Sequence, residues 1–205
     1  MPFSAFERDG YVVLRDEVDP PTVARARDHL AELQAAQPDS PIVTAPIEAD
    51  PFFAHIVESV ELVAIATGVL EAPVVAFGAT YLVKPPWVGL PALWHQDGYP
   101  WREKLGDAAA VTLWIALDAA TIANGCLRVI PGSHHEPAQP LRPNTEAPSL
   151  FGVEIDPAAV DVSAAVPVEL APGDVSAHHP NLIHGSDANV SEHPRRALAV
   201  RYRTR

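Results

Sequence analysis

Residues 94–101 read WHQDGYPW. Taken as the end of a β-strand, this stretch decides how the rest of the chain is read. Side chains two apart on a strand project to the same face, so His95 and Asp97 can reach a single metal ion. Trp94, Tyr99 and Trp101 surround them with large aromatic rings. A lone His-x-Asp arises often by chance and gains meaning only with a third ligand from elsewhere. The candidate is His184, in LIHGSDANVSEHPRRALAVRY (182–202). Two imidazoles and one carboxylate on one face of an octahedron leave three positions open, the donor set typical of non-haem Fe(II) oxygenases. Without that third ligand, the stretch is an ordinary strand end.

The segments around it are rich in β-structure. AVTLWIALD (110–118) alternates, with Val111, Leu113, Ile115 and Leu117 on one face and Thr112, Trp114 and Ala116 on the other. VVAFGATYLV (74–83), GCLRVIPGS (125–133), VPVELAPGDVSAHHP (166–180) and RRALAVRYRT (195–204) read as further strands, with turns at Pro131-Gly132 and Pro172-Gly173. Residues 136–161 are proline-rich and read as an irregular loop. Before residue 73 the texture is helical. A helix is expected over 19–37, capped by Asp19 with Pro20 in its first turn. A second is expected over 51–69, ending near Gly68. The expected organisation is one domain over 1–205: a mainly helical part, 1–72, packed on an antiparallel β-core, 73–205.

Bulk properties narrow the function. The chain has 205 residues, 48% of them hydrophobic and 20% charged, which marks a globular protein able to bury a real core. A formal net charge of −12 argues against a general nucleic-acid or anionic-membrane binder. The single cysteine, Cys126, forms no internal disulfide. The N-terminal residues MPFSAFERDGYVVL have no basic segment followed by a long apolar one, so a cytoplasmic location is expected. No apolar run approaches the roughly 20 residues that span a bilayer.

Three segments together resemble the phytanoyl-CoA dioxygenase family of Fe(II)/2-oxoglutarate dioxygenases. They are WHQDGYPW, NGCLRVIPGSHH (124–135) and HGSDANVSEHPRRAL (184–198), and the opening FERDGYVVL (6–14) is similar to the family's N-terminus. The resemblance implies a double-stranded β-helix, the jelly-roll of cupin-like proteins, preceded by N-terminal helices. It implies that His95, Asp97 and His184 bind Fe(II). It also implies that Arg195, eleven residues after the last histidine, clamps the far carboxylate of 2-oxoglutarate. A guanidinium offers a planar two-pronged match to such a group. Ser186 resembles the family's hydroxyl donor to the same carboxylate, and Trp114 and Thr80 match positions in the co-substrate wall. Arg195 shares a strand face with the small Ala197 and Ala199, which leave cavity space; Arg196 shares the other with Leu198, Val200 and Tyr202.

The activity implied is oxidation of an unactivated C–H bond of a small organic molecule with O2. Trp94, Tyr99 and Trp101 read either as core or as a wall of the substrate pocket, and Tyr99 and Trp101 are assigned to the pocket. Family halogenases replace the carboxylate with a small residue, so Asp97 points to hydroxylation, desaturation or cyclisation. The other reading is a cupin-like metal-binding or sensing module, which would not need the clamp at Arg195. A metal hydrolase fits poorly, since no further carboxylate or histidine is expected beside the triad as a general base. His134, His135, His178 and His179 are not read as a second metal site, because adjacent histidines on a strand point opposite ways.

Overall fold

The computed structural model describes residues 3–205. The chain begins with α1 (Ser4–Asp9), β1 (Tyr11–Leu14), α2 (Pro20–Ala36), β2 (Ile42–Val43), α3 (Pro51–Ile56) and α4 (Val60–Leu70). Then follow β3 (Val74–Lys84), β4 (Ala92–His95), α5 (Gly98–Leu105), β5 (Ala110–Ala116) and β6 (Leu127–Val129). The last third holds β7 (Leu141–Pro143), β8 (Val153–Ile155), β9 (Val166–Val168), β10 (Val175–His178), β11 (His184–Ser186) and β12 (Arg195–Thr204). A major antiparallel sheet has the order β1-β10-β5-β12-β3-β2, and a smaller one the order β4-β11-β6-β9. The two form the jelly-roll expected from the sequence. Among the described residues, no helix is long and apolar enough to cross a membrane.

The alternation along β5 shows how the layers are built. Val111, Leu113 and Ile115 pack with Leu62, Ile65 and Val69 of α4 in one core. Trp114 and Ala116 join Ala197, Ala199, Leu127 and Val129 in a second core, between the sheets. β12 splits its residues the same way, with Leu198, Val200 and Tyr202 toward the helices. The helices therefore back the major sheet, and its other face is left to the site.

Three expectations need correction. The helix expected over 51–69 is two helices, because the Ser59 side chain accepts a bond from the Leu62 N–H and caps a new start. The end expected near Gly68 falls at Leu70, with left-handed Glu71 as the cap; the glycine sits in the last turn of α4, where a Cβ would collide with the Phe3 ring. Residues 136–161 are not wholly irregular, since β7 and β8 form a two-stranded ribbon. WHQDGYPW is not strand to its end. β4 stops at His95 and α5 begins at Gly98, with Pro100 in the first turn, where a missing N–H costs nothing.

The turn before β6 is pinned more tightly than any sequence pattern suggests. Gly125 has φ +79°, and a Cβ there would strike the Asp187 carbonyl oxygen. Gly125→Ala is expected to destabilise the fold by about 1–3 kcal/mol, combining left-handed strain with a backbone clash. A thermal melt checks this, and an unchanged melting temperature would refute it.

Candidate metal centre

His95 ends β4 and His184 begins β11, and the two are register partners in the minor sheet. Their ring centroids lie 4.2 Å apart. Each ring is tied in the same way: His95 Nδ1 lies 2.7 Å from the Leu93 carbonyl oxygen and His184 Nδ1 2.9 Å from that of Leu182. A carbonyl only accepts, so each Nδ1 carries the proton and each Nε2 keeps its lone pair for a metal. Burial, with His184 alongside, lowers the His95 pKa to about 4, so its imidazole is neutral at pH 7.

Asp97 reaches the same point by a different route. It occupies the N-cap position of α5 but makes no capping bond, so its carboxylate is free to face the cleft. Burial works against its charge, but His184, Arg201, His95 and His178 together hold its pKa below the usual carboxylate range. Thr112 Oγ1 donates to Asp97 Oδ2 at 3.3 Å. Gln96, between the two ligands, is wholly buried and points away. Its amide donates to the Asn181 carbonyl and accepts from the Gln139 N–H, which fixes the entry into α5. Ligand atoms of His95, Asp97 and His184 all lie within 4.8 Å of one another. Two imidazole Nε2 atoms and one carboxylate fit a divalent iron ion.

The triad opens into a cleft between the two sheets, lined also by Leu82, Trp114, Ser186, Arg195 and Ala199. Arg195 is 2% exposed, and its Nε and Nη1 have no partner. Its guanidinium carbon lies 5.4 Å from the centre of the Trp114 ring. Burial pulls its pKa down to about 10, so it remains charged at pH 7, and among the described residues it forms no ion pair. Lys84, also wholly buried, donates to the carbonyls of Ser186 and Asp187 and holds the strand carrying Ser186 in place. Phe151, from the 136–161 segment, packs edge-on against His95 at 4.9 Å.

Other expected site residues are placed elsewhere. Thr80 does not line the cleft; its hydroxyl accepts from Arg201 Nη1 at 2.8 Å. Trp101 is not among the residues that line the cleft; its ring lies 5.1 Å from the Arg201 guanidinium carbon. Tyr99 lines a separate groove with Arg102, His179 and Pro180, because α5 turns it away from the strand face. The expectation that no further histidine stands beside the triad is corrected, and a second cation joins it. His178 and Arg201 both line the cleft, and His178 Nε2 is 4.0 Å from Asp97 Oδ2. The signal for Arg201 was present, since the alternation that runs from Arg195 through Ala197 and Ala199 continues to it. His134, His135 and His179 cluster apart from the cleft.

Comparison with known proteins agrees with this geometry. The family model described as phytanoyl-CoA dioxygenase (PhyH) matches residues 6–197. The mouse phytanoyl-CoA dioxygenase domain-containing protein 1 is 33% identical over 156 residues, covering 74% of this chain and 52% of that protein. The L-proline trans-4-hydroxylase of Streptomyces griseoviridis is 28% identical over 223 residues, covering 96% of this chain and 83% of that one. The crystal structure of EvdO2 from Micromonospora carbonacea var. aurantiaca, complexed with 2-oxoglutarate, superposes with a TM-score of 0.83 at 23% identity, covering 100% of this chain and 90% of its own. The chain spans about half the length of the mouse, bovine and rat relatives it matches. With the family model covering nearly its whole length, the chain belongs to the phytanoyl-CoA dioxygenase family.

Proposed function

We propose that the chain is an Fe(II)- and 2-oxoglutarate-dependent oxygenase that oxidises an unactivated C–H bond of a small organic molecule, working as one domain in the cytoplasm. One observation carries this reading. A metal-competent triad and an unpartnered buried guanidinium line the same narrow cleft. A metal-binding or sensing module has no use for a buried, unpaired cation, which costs stability unless an anion arrives to meet it. The free, buried Cys126 suits a reducing compartment.

His95 Nε2, His184 Nε2 and one Asp97 oxygen would hold the iron. Arg195, with Ser186 beside it, would take the far carboxylate of 2-oxoglutarate. Iron with 2-oxoglutarate and O2 supplies C–H oxidation coupled to formation of succinate and CO2. The protein's own residues orient and enclose. Trp114, Leu82 and Ala199 form an apolar wall that keeps water from the co-substrate, and Thr112 steadies the Asp97 carboxylate. With Asp97 filling the third protein position, hydroxylation, desaturation or cyclisation is favoured over halogenation.

Anaerobic titration of the metal-free protein with Fe(II) and 2-oxoglutarate tests this reading. It is expected to give the visible charge-transfer band of the chelate. Iron binding without a band would overturn the oxygenase reading in favour of the binding module.

A further inference from the structure

Arg201 is the second cation in the cleft, and the co-substrate leaves it without a task. It lies six positions beyond Arg195 along β12, or about 20 Å of strand, with Ala197 and Ala199 between them on the same face. The far end of 2-oxoglutarate belongs to Arg195 and its chelating end to the metal. Arg201 sits instead in a row across three neighbouring strands. Thr112 on β5 pairs in register with His178 on β10 and with Arg201 on β12. Thr112, the middle of that row, donates to Asp97, so the row lies beside the metal centre. On the other side of Arg201 the register partner is Gly78, which leaves room for the side chain.

The guanidinium is held, and it feels the charge of Asp97 without forming a direct ion pair with it. Nη1 donates to the Thr80 hydroxyl, and the group stacks on Trp101. Nε is buried without a partner. Among the described residues no carboxylate lies within ion-pair distance of Arg201; Asp97 is that close only to His95 and His178. His178, in the same row, has its own buried Nδ1 without a partner. A rigid guanidinium with spare donors, beside a metal site and facing a cleft, is built to receive an anion.

We propose that Arg201, with His178 at the end of its row, forms the substrate's anion subsite, so that the substrate is a small molecule bearing a carboxylate. A single guanidinium matches one carboxylate in a bidentate pair. The chain's net charge of −12 disfavours more highly charged anions. The subsite sets specificity: it orients the substrate by its acid group and presents the rest of the molecule to the metal. This inference rests on the oxygenase reading for what the bound acid undergoes, but not for the binding itself.

The test compares cyclohexanecarboxylate with cyclohexanecarboxamide, which share a ring and differ in charge. Affinities are measured by ligand-observed NMR on protein carrying diamagnetic Zn(II) and saturating 2-oxoglutarate, and again without either. Wild type is expected to bind the acid about tenfold or more tighter than the amide. R201Q should lose that preference, while Arg102→Gln, in the separate groove beside Tyr99, should keep it. R201K, which retains charge without the fork, should keep part of it, and it replaces R201Q if the latter does not fold. Equal affinity for acid and amide, no binding of either, or a preference that survives in R201Q would each overturn the subsite. The iron chelate band, recorded on the same wild-type protein, separates the two proposals. A band without acid preference removes the subsite and leaves the oxygenase reading, and acid preference without a band does the reverse.

Discussion

Replacing Arg195 with methionine is expected to make the ligand-free protein more stable and to abolish its binding of 2-oxoglutarate. The two effects share one cause. Arg195 is 2% exposed, two of its nitrogens have no partner, and burial lowers its pKa to about 10. A base whose pKa falls on folding is destabilising at pH 7, where it must stay charged in both states. Methionine fills a similar volume beside Trp114 without that cost, so the gain is expected at about 1–3 kcal/mol. In a chain of this size that corresponds to roughly 2–4 °C of melting temperature per kcal/mol. The same substitution removes the guanidinium offered to the far carboxylate. Losing one partner of a buried charge pair costs about 2–5 kcal/mol, or roughly one and a half to three and a half orders of magnitude in affinity. Saturating 2-oxoglutarate should therefore raise the melting temperature of wild type and leave Arg195→Met unmoved. Were the variant less stable without ligand, Arg195 would be part of the scaffold and the clamp assignment would fail.

What the sequence disclosed, and what it hid, follows from which interactions are local. Alternation in AVTLWIALD and RRALAVRYRT foretold which residues face the helices and which face the cleft, because a strand's period of two depends on backbone geometry alone. The same rule misled at Asp97. Proximity of His95 and Asp97 was legible, but the reason was not. The strand ends at His95, and Asp97 comes into place through a helix start fixed by Gln96 bonding to Asn181 and Gln139, residues far away in sequence. The break at Ser59 was missed because an apolar helical pattern on both sides masked a capping serine. Tyr99 and Trp101 were drawn toward the pocket by proximity in sequence, and α5 carried both off the strand face. Arg201 and His178 were hidden differently. Their faces were readable, but only the three-strand register shows that they share a row with Thr112 beside Asp97.

Substituting His184 with alanine is expected to remove the response of the protein to Fe(II). Folding is what brings the triad together, so Fe(II) at about 100 times its dissociation constant would stabilise the fold by about 2.7 kcal/mol. At roughly 2–4 °C per kcal/mol, that is a rise of about 5–10 °C in melting temperature under nitrogen. His184→Ala takes away one of three donors and leaves the Leu182 carbonyl without the N–H it accepts. The metal-free variant should thus melt somewhat lower, by about 1–3 kcal/mol, and show no rise on adding Fe(II). His178→Ala provides the contrast. Its Nε2 lies 4.0 Å from Asp97, yet it falls outside the group of ligand atoms that can share one ion. Its removal should leave the iron-dependent rise in place. If His178→Ala loses the rise and His184→Ala keeps it, the ion is held by a different set of ligands. The row of Thr112, His178 and Arg201 would then belong to the metal and not to the substrate.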